Sequence, residues 1–585
     1  MEIKIIQNKL AFLLFITIFT SIYCTYIPKR NLHILSTNSI DYTNYIRVKY
    51  KIEEISDSPI LLFNSLYLSY ISSMTLDGEN LNVNNTYTFA KTGTYEIKIY
   101  LLKYLNNLED LFRECIYLLE VDFGETIFSN VRSLKGLFRN CKNLKKINFG
   151  SLDTSNVVDM NGVFSSCSSL TAVDLSKFNT EKVYDMNYMF NSCIQLTSLD
   201  ITNFNTKSVL STKFMFSNCK SLTSLDLSNF DTSSVTNMNN MFDGCQMLLS
   251  LDLSKFNTKN VISLVYFLHN CFSLKSIDLS NFDTSHFEDI SGMFLNCESL
   301  TSIDLTNFQT SNVVSMSQLF EGCSSLNILD VSKFITNKVQ DMEYLFSRCK
   351  SLNYIDVSNF VTDNVEDMNH MFNGCEGLTS LDLTNFKTSK VFNMMGMFSG
   401  CRQLEYVDVR FFITTNLMYV SSIFSGCAKL RSLNLKNFDI SGVNSVSSMF
   451  NGCKSLKYLN IENFNTKQVI QMDNMFKDCA LLENLDLKYF DTSKVTTMEN
   501  MFNGCLSLTS LDLNSFVTKK VINMNMLFAN CKSLSYIDIS NFNMINVKSY
   551  DLMFYSLPNI GHIFYDDDNI PDEVIEQIPD EWEKN

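Results

Sequence analysis

The chain has 585 residues, of which 45% are hydrophobic, and it carries a formal net charge of −15 at pH 7. This apolar content suffices for an extended core. The acidic balance argues against nucleic-acid binding, because the sequence offers no basic stripe to neutralise phosphates. It also argues against simple electrostatic docking on anionic membranes.

Residues 1–24 have the pattern of a secretory signal peptide. Lys4 and Lys9 precede an apolar run from Leu10 to about Phe19. This run is too short to span a membrane, so it predicts export rather than a membrane anchor. We therefore expect a secreted, extracellular protein or one associated with the cell surface, without a direct membrane span.

Residues 25–102 lie outside the repeat described below and have the pattern of β-strands. Ile46, Val48 and Tyr50 alternate with charged residues, as in a strand with one buried face. We expect a small β-rich cap domain that shields the first coil of a repeat array, as terminal repeats require. Asn84 opens the one Asn-x-Thr sequon of the chain, which is an N-glycosylation acceptor if the host has that machinery.

From residue 103 to residue 556 the sequence repeats a 26-residue unit with no insertion or deletion. One unit, Cys219–Gly244, reads CKSLTSLDLSNFDTSSVTNMNNMFDG. A fixed period of this length is the signature of a solenoid, in which each unit buries its apolar face against its neighbours. The units open with Cys115, Cys141, Cys167, Cys193, Cys219, Cys245, Cys271, Cys297, Cys323, Cys349, Cys375, Cys401, Cys427, Cys453, Cys479, Cys505 and Cys531.

Each unit predicts a short strand, a turn and a short helix. Leu225 and Leu227 alternate with polar residues, which is typical of a strand with one buried face. Val235, Met238 and Met241 then follow at helical spacing and predict the apolar stripe of a helix.

The residues that flank this helical pattern match the ends of a helix. Thr232 stands where an N-cap is expected, and a threonine recurs there in most units. Gly244 follows the pattern and suits the left-handed conformation at a helix C-terminus. Each coil is therefore predicted to be strand, turn, helix and turn.

The repeated pattern L-x-x-L-D-L-S-x-F-x-T-x-x-V-x-x-M-x-x-M-F-x-x-C resembles the leucine-rich repeats of BspA-like surface proteins. The resemblance implies an α/β fold, a right-handed leucine-rich-repeat solenoid of about seventeen coils with the strands on the concave side. At roughly 4.8 Å per strand such a body would be about 80 Å long. The resemblance also implies extracellular adhesion and binding, with no enzymatic chemistry and no cofactor.

The repeat cysteines allow two interpretations. Equivalent positions of adjacent coils lie about 5 Å apart in a solenoid, which is within reach of a disulfide. Parallel, inward-pointing side chains give poor bridging geometry, so we expect a row of buried free thiols that act as small hydrophobes.

An acidic residue recurs on the predicted outer face of the strand, seven residues after each cysteine. Neighbouring carboxylates about 5 Å apart repel each other by roughly 3 kcal/mol at an effective dielectric of 20. Hydrogen bonds, partial protonation or bound cations could relieve this repulsion. A solvated structural row is favoured over a cation-binding stripe. Fourteen of the seventeen units have Asp at this position, and the exceptions are Asn148, Asn434 and Asn460.

The strand face changes character between Cys349 and Cys531. Earlier coils present mostly Ser on either side of the Asp, whereas later coils introduce tyrosine and charged residues. Aromatic and arginine side chains in a mixed polar surface suit recognition; drift on a tolerant surface is the alternative. The hypothetical ligand-binding residues are Tyr354, Tyr406, Asp408, Arg410, Asn434, Lys436, Tyr458, Asn460, Glu462, Lys488 and Tyr536.

Residues 557–585 lose the repeat and predict an acidic C-terminal cap with a short helix. The five histidines of the chain are scattered, and no catalytic or phosphate-binding motif is present, so we predict no enzyme, no metal site and no cofactor. The favoured function is adhesion or recognition on the concave strand face, with an extracellular protein or glycan, host matrix among them, as the partner. The alternative is a structural surface-coat spacer without a specific ligand.

Overall fold

The structure is a computed structural model, and it describes residues 43–585. The predicted signal peptide, residues 1–24, lies outside the described residues. Within residues 43–585 a β-rich region is followed by a long solenoid and a small terminal sheet.

The β-rich region is built around an antiparallel sheet whose strands follow one another in the order β4 (Glu79–Leu81), β3 (Ile71–Leu76), β6 (Gly93–Leu101) and β1 (Tyr45–Ile52). The alternating residues of β1 are buried on one side, as the sequence predicts. Ile46, Val48 and Tyr50 lie in this core. The elements are β1 (Tyr45–Ile52), β2 (Ile60–Leu61), a 3₁₀ helix (Ser65–Tyr70), β3 (Ile71–Leu76), β4 (Glu79–Leu81), β5 (Thr86–Tyr87) and β6 (Gly93–Leu101).

This sheet continues into the first coil of the solenoid. β1 pairs antiparallel with β7 (Leu118–Asp122), which in turn pairs parallel with β8 (Lys146–Asn148). Two ion pairs reinforce the junction, Arg47 with Asp122 and Lys49 with Glu120, the latter at 2.8 Å. The open edge of the first coil is thus covered by a paired strand, which protects it from edge-to-edge association.

The predicted solenoid is confirmed, and its coils stack in register. Ser302 pairs with Ser276 and Tyr458 pairs with Ser432, each exactly one repeat earlier in the chain. All strand pairs between coils are parallel, as expected when each unit follows the same path as the last. The further strands are β9 (Ser276–Asp278), β10 (Ser302–Asp304), β11 (Ser380–Leu381), β12 (Tyr406–Val407), β13 (Ser432–Asn434), β14 (Tyr458–Asn460), β15 (Ser510–Asp512) and β16 (Tyr536–Asp538).

The predicted helices of the coils are not formed, and successive turns take their place. In one coil Asn240 has φ 58° and Gly244 has φ 73°, two left-handed residues four positions apart that a right-handed helix cannot contain. The N–H of Phe242 donates to the carbonyl of Phe267 in the next coil at 3.0 Å, rather than to a carbonyl of its own coil. Single parallel bridges such as Ser211 with Asn237 recur close to these turns. The second side of the solenoid is therefore also held together by bonds between coils.

The core is continuous along the solenoid, because equivalent apolar residues of successive coils stack on one another. The leucine three residues after each cysteine is fully buried, as at Leu326. Phenylalanine rings stack from coil to coil, and those of Phe320 and Phe346 lie 5.9 Å apart and nearly parallel. Because each unit buries its apolar side chains on the units before and after it, stability arises from contacts between neighbours.

The seventeen repeat cysteines are buried free thiols, as predicted. Each from Cys141 onward donates a hydrogen bond to a carbonyl of the preceding coil at 2.9–3.3 Å. Cys349 donates to Phe320, for example. Burial raises the pKa of this thiol to about 12, so it stays protonated near neutral pH.

The recurring threonines do not cap helices, contrary to the prediction, because the coils contain no helix to cap. Thr310 is 1% exposed. Its hydroxyl donates to the carbonyl of Ile335 at 2.9 Å and accepts from the N–H of the same residue at 2.7 Å. The threonine row thus provides a second set of bonds between neighbouring coils.

The C-terminal residues extend the stack. β17 (His562–Phe564) pairs parallel with β16, and β18 (Glu583–Lys584) pairs with β17. The short helix α1 (Asp572–Ile575) lies between them in sequence. Trp582 is buried and donates from its indole to the carbonyl of Pro558 at 2.8 Å. Within residues 43–585 no helix is long and apolar enough to cross a membrane.

Candidate ligand-binding surface

The acidic row on the strand face is a row of hydrogen-bonded turns. The carboxylate of Asp304 accepts from the backbone N–H of Thr306 at 3.0 Å and from its hydroxyl at 2.6 Å. These hydrogen bonds hold the pKa of Asp304 below its usual value. Asn434 accepts in the same way from the N–H of Lys436, and Asn460 does likewise for the next coil. Since asparagine serves equally well, the position requires an oxygen acceptor rather than a charge.

Hydrogen bonds to the backbone therefore account for the recurrence of an oxygen acceptor at this position. Among residues 43–585, no group of three or more His, Cys, Asp or Glu side chains comes together in a way that could hold a metal ion.

The four predicted tyrosines project from the strand face into solvent. The exposed fractions are 64% for Tyr354, 53% for Tyr406, 66% for Tyr458 and 38% for Tyr536. Neighbouring coils place Ser380 and Ser432 at the same position. Exposed aromatic rings of this kind supply contact area with few rotatable bonds, which favours a role in binding.

A cavity of about 410 Å³ opens on this face, and six of the eleven predicted residues line it. They are Tyr406, Asp408, Arg410, Asn434, Tyr458 and Asn460. Ser432 and Leu433 belong to the coil between the two tyrosines and also line the cavity. The cavity lies within the size range of small-ligand sites, although its lining mixes polar and apolar groups.

The charged groups of this surface are paired with one another. Arg410 contacts the carboxylate of Asp408 through two nitrogens, at 2.9 and 2.7 Å. This contact with Arg410 holds the pKa of Asp408 below its usual value. Lys436 and Glu462, two of the predicted residues that do not line the cavity, form an ion pair with each other at 3.0 Å. The surface is therefore polar and largely charge-compensated.

Three predicted residues lie away from the cavity. Lys488 pairs with Asp486 at 2.8 Å and places its ammonium over the ring of Tyr489. The ring of Tyr536 lies 5.4 Å from that of Phe564, against the terminal sheet. Tyr354 is exposed two coils before Tyr406 and does not line the cavity. The structure thus groups the predicted residues around one centre, with outliers at both ends.

Several lining residues were missed by the sequence analysis. Lys457 and Glu483 line the cavity and form an ion pair at 2.9 Å. Asn484 lines it as well. Glu405 and Arg431 form the same kind of pair, at 2.9 Å, in the two preceding coils. Four successive coils therefore carry a charged residue directly after the leucine of the repeat. This run of charges in the sequence could have identified these lining residues.

The predicted glycosylation residue Asn84 is exposed in the segment between β4 and β5. It belongs to the β-rich region and has no part in the cavity.

The comparisons with known proteins concern the repeats. A family model described as "Mycoplasma protein of unknown function, DUF285" matches the chain in six overlapping segments. They are residues 106–225, 214–327, 300–405, 354–458, 378–483 and 445–563, which together span more than three quarters of the chain. A comparison with curated proteins finds no match.

Three solved structures are similar to parts of the chain. A leucine-rich repeat protein from Eubacterium ventriosum is 15% identical, with 75% of this chain and 82% of that chain covered and a TM-score of 0.27. A TLR13–ssRNA13 complex gives 16% identity, 79% and 91% coverage and a TM-score of 0.17. The plant peptide hormone receptor RGFR1 in complex with RGF2 is 12% identical, with 83% of this chain and 97% of that chain covered and a TM-score of 0.15.

Proposed function

The chain belongs to the family described as "Mycoplasma protein of unknown function, DUF285", and on this premise we propose that it is a binding scaffold of the cell surface. The repeats would form a stiff body that presents its strand face to a macromolecular partner. We place the contact on the surface between Tyr406 and Glu483, and we take the partner to be an extracellular protein or glycan. The BspA-like resemblance and the signal-peptide pattern support an extracellular setting for this role.

One observation carries the proposal, namely the contrast along the strand face. Early coils such as those of Ser276 and Ser302 repeat the same small polar residues around each aspartate. The later coils add exposed tyrosines, paired charges and a cavity of about 410 Å³ at the same positions. A purely architectural spacer has no need for this local change, whereas a recognition site does.

The buried thiols are compatible with an oxidising exterior. Each thiol lies in the core, and burial raises the pKa of all seventeen, so little reactive thiolate forms. Shielding by the coils would preserve the reduced thiols outside the cell without disulfides.

The proposal is tested by removing the contrast and leaving the core intact. The variant Tyr406→Ser, Arg410→Ser, Tyr458→Ser makes the later coils resemble the early ones. We expect binding to immobilised matrix or cell-wall material to weaken about tenfold or more, on the order of 1.4 kcal/mol. The thermal unfolding temperature should change little, because all three side chains are exposed.

A matched control removes the same residue types elsewhere. Tyr184 and Tyr555 are 46% and 57% exposed, and Arg402 is a surface arginine paired with Glu376. The variant Tyr184→Ser, Arg402→Ser, Tyr555→Ser should bind like the parent. If both variants lose binding equally, or if the first variant loses none, the residues of the later coils have no specific role in binding. The protein would then be a structural spacer whose surface varies without functional consequence.

A further inference from the structure

We propose that the occupant of this surface is a polyproline II segment of a proline-rich protein, aligned along the stack of coils. Every third residue of the segment would sit between two tyrosine rings. The inference rests on the proposed function, since it names the chemistry of the partner for the same surface. The geometry of the tyrosines and the pairing of the charges carry it.

The tyrosines alternate with serine from coil to coil. Tyr354, Tyr406 and Tyr458 occupy every second coil, and Ser380 and Ser432 occupy the coils between them. Pairing is in register, because Ser380 lies opposite Tyr406 and Ser432 lies opposite Tyr458. Ser432 lines the cavity together with the exposed Tyr406 and Tyr458. Ser380 has the equivalent place in the coil between Tyr354 and Tyr406. We call each of these two positions a slot. Neighbouring slots are separated by two coils, or about 9.6 Å at the usual strand spacing.

Among the regular backbones, polyproline II has the repeat closest to this distance. A polyproline II helix has three residues per turn and advances roughly 9.3 Å per turn, so every third side chain faces the same way. Two turns of an α-helix advance about 10.8 Å. An extended strand repeats a face every two residues, or about 6.7 Å. Over the one interval between the two slots, the mismatch is therefore about 0.3 Å for polyproline II, about 1.2 Å for the α-helix and about 2.9 Å for the extended strand.

The charges around the slots disfavour a charged ligand. Arg410 is engaged by Asp408, and Lys457 is engaged by Glu483. A charged ligand group would have to compete with an existing partner at each of these residues. A neutral partner avoids this cost, and proline-rich segments are commonly recognised in aromatic-lined grooves.

The uncharged polar groups favour a ligand that accepts hydrogen bonds. Asn434 and Asn460 use their side-chain oxygens to accept from backbone N–H groups of their own strands. Their side-chain NH₂ groups remain as donors at the cavity. Proline has a carbonyl but no N–H, so a proline-rich segment presents mainly acceptors. A glycan presents hydroxyl donors as well, and the carboxylates that could receive them are already paired.

The test uses the full chain and three labelled peptides of equal length, followed by fluorescence anisotropy. One peptide repeats Pro-Pro-Leu, the second repeats Pro-Pro-Pro-Leu and the third repeats Gly-Gly-Leu. We expect the first to bind about tenfold more tightly than either of the others, because it combines the three-residue repeat with a preformed helix. Equal affinity of the three peptides would overturn the proposal.

A variant that fills a slot distinguishes binding within the slots from binding to exposed aromatic surface in general. Ser432→Tyr places a third ring between Tyr406 and Tyr458, and Ser302→Tyr is the matched change on a regular coil. We expect Ser432→Tyr to abolish binding of the Pro-Pro-Leu peptide and Ser302→Tyr to leave it unchanged. Tighter or unchanged binding by Ser432→Tyr would show that no slot is used.

The outcomes also separate this inference from the proposed function. If the Tyr406, Arg410 and Tyr458 variant loses binding to matrix material while the parent ignores the Pro-Pro-Leu peptide, the surface is functional but its partner is not polyproline. Competition by a β-linked hexasaccharide in that case would identify a glycan partner instead. If the peptide binds in the slots while matrix binding is unaffected by the variant, the peptide site stands and the adhesion proposal fails.

Discussion

At the residue scale, the polar side chains that recur in most coils are those that bond to the backbone. The acidic row accepts from the N–H two residues later, the threonine row bonds to the next coil, and the thiols donate to the previous one, as Asp304, Thr310 and Cys349 illustrate. The positions of Tyr406 and Arg410 have no such role in the early coils, where serine is the commonest residue. Because the side chains at these two positions make no bond to the backbone, binding chemistry can be added there without loss of the fold.

The thiols provide the first prediction. Because they are buried, hydrogen-bonded and raised in pKa, the folded protein should react with almost none of its repeat cysteines in a thiol assay. Unfolding in denaturant without reductant should release all seventeen. A count near one after unfolding would mean that neighbouring coils are bridged, in conflict with the free thiols described above.

The threonine row provides the second prediction. Thr310→Val keeps the shape of the side chain but removes both bonds to Ile335, which should cost roughly 1–2 kcal/mol because it leaves polar groups unpaired. Hydrogen exchange at the Ile335 amide should accelerate about fivefold or more. Thr310→Ser retains the hydroxyl and should exchange like the parent. Unchanged protection in the valine variant would show that the hydroxyl bonds contribute little.

At the scale of the element, the sequence predicted the core of the coils but not the turns, and it predicted the strands only in part, because Leu225 and Leu227 and their equivalents in several other coils lie outside any strand. The spacing of Val235, Met238 and Met241 suits both a helix and a chain of turns whose buried side chains recur at three-residue intervals. The deciding feature is the left-handed backbone, and it is not readable from residue type, since Asn240, Tyr266 and His370 all adopt it at the same repeat position. The candidate surface was predictable as a break in the repeat, whereas its cavity and ion pairs depend on which side chains of different coils meet.

The element also sets how far damage spreads. Leu326→Ala should cost about 2–5 kcal/mol, because Leu326 is fully buried and its neighbours are fixed by the stack. Since coils contact mainly the coils beside them, hydrogen exchange should accelerate around residues 300–350 and little elsewhere. Ile328→Ala changes a side chain that is 75% exposed and should have almost no effect. Uniform acceleration along the whole chain would contradict a quasi-one-dimensional molecule.

At the scale of the whole solenoid, two sets of carboxyl groups respond to acid in opposite directions. Those of the strand face have a lowered pKa, caused by hydrogen bonds from the residue two positions later, as at Asp252 and Asp304. A smaller set on the turn side, including Asp341 and Glu343, has a raised pKa because of burial. A lowered pKa stabilises the fold above the ordinary aspartate value, and this contribution is lost as the pH falls through the folded value. A raised pKa has the reverse sign, so protonation of the buried set relieves an unfavourable charge.

The expected result is a stability profile with two regimes. As the pH falls towards 4.5, the ordinary glutamate value, the thermal unfolding temperature should hold or rise slightly because the buried set is protonated first. Below 3.8, the ordinary aspartate value, it should fall steeply as the strand-face row loses its charge-assisted hydrogen bonds. Replacing Asp252, Asp304, Asp330 and Asp356 by Asn should preserve the turns, as Asn434 does naturally, and should make the fall below 3.8 shallower. The profile is measured by circular dichroism on both proteins. An identical acid limb in the variant would mean that the row does not control the acid stability of the solenoid.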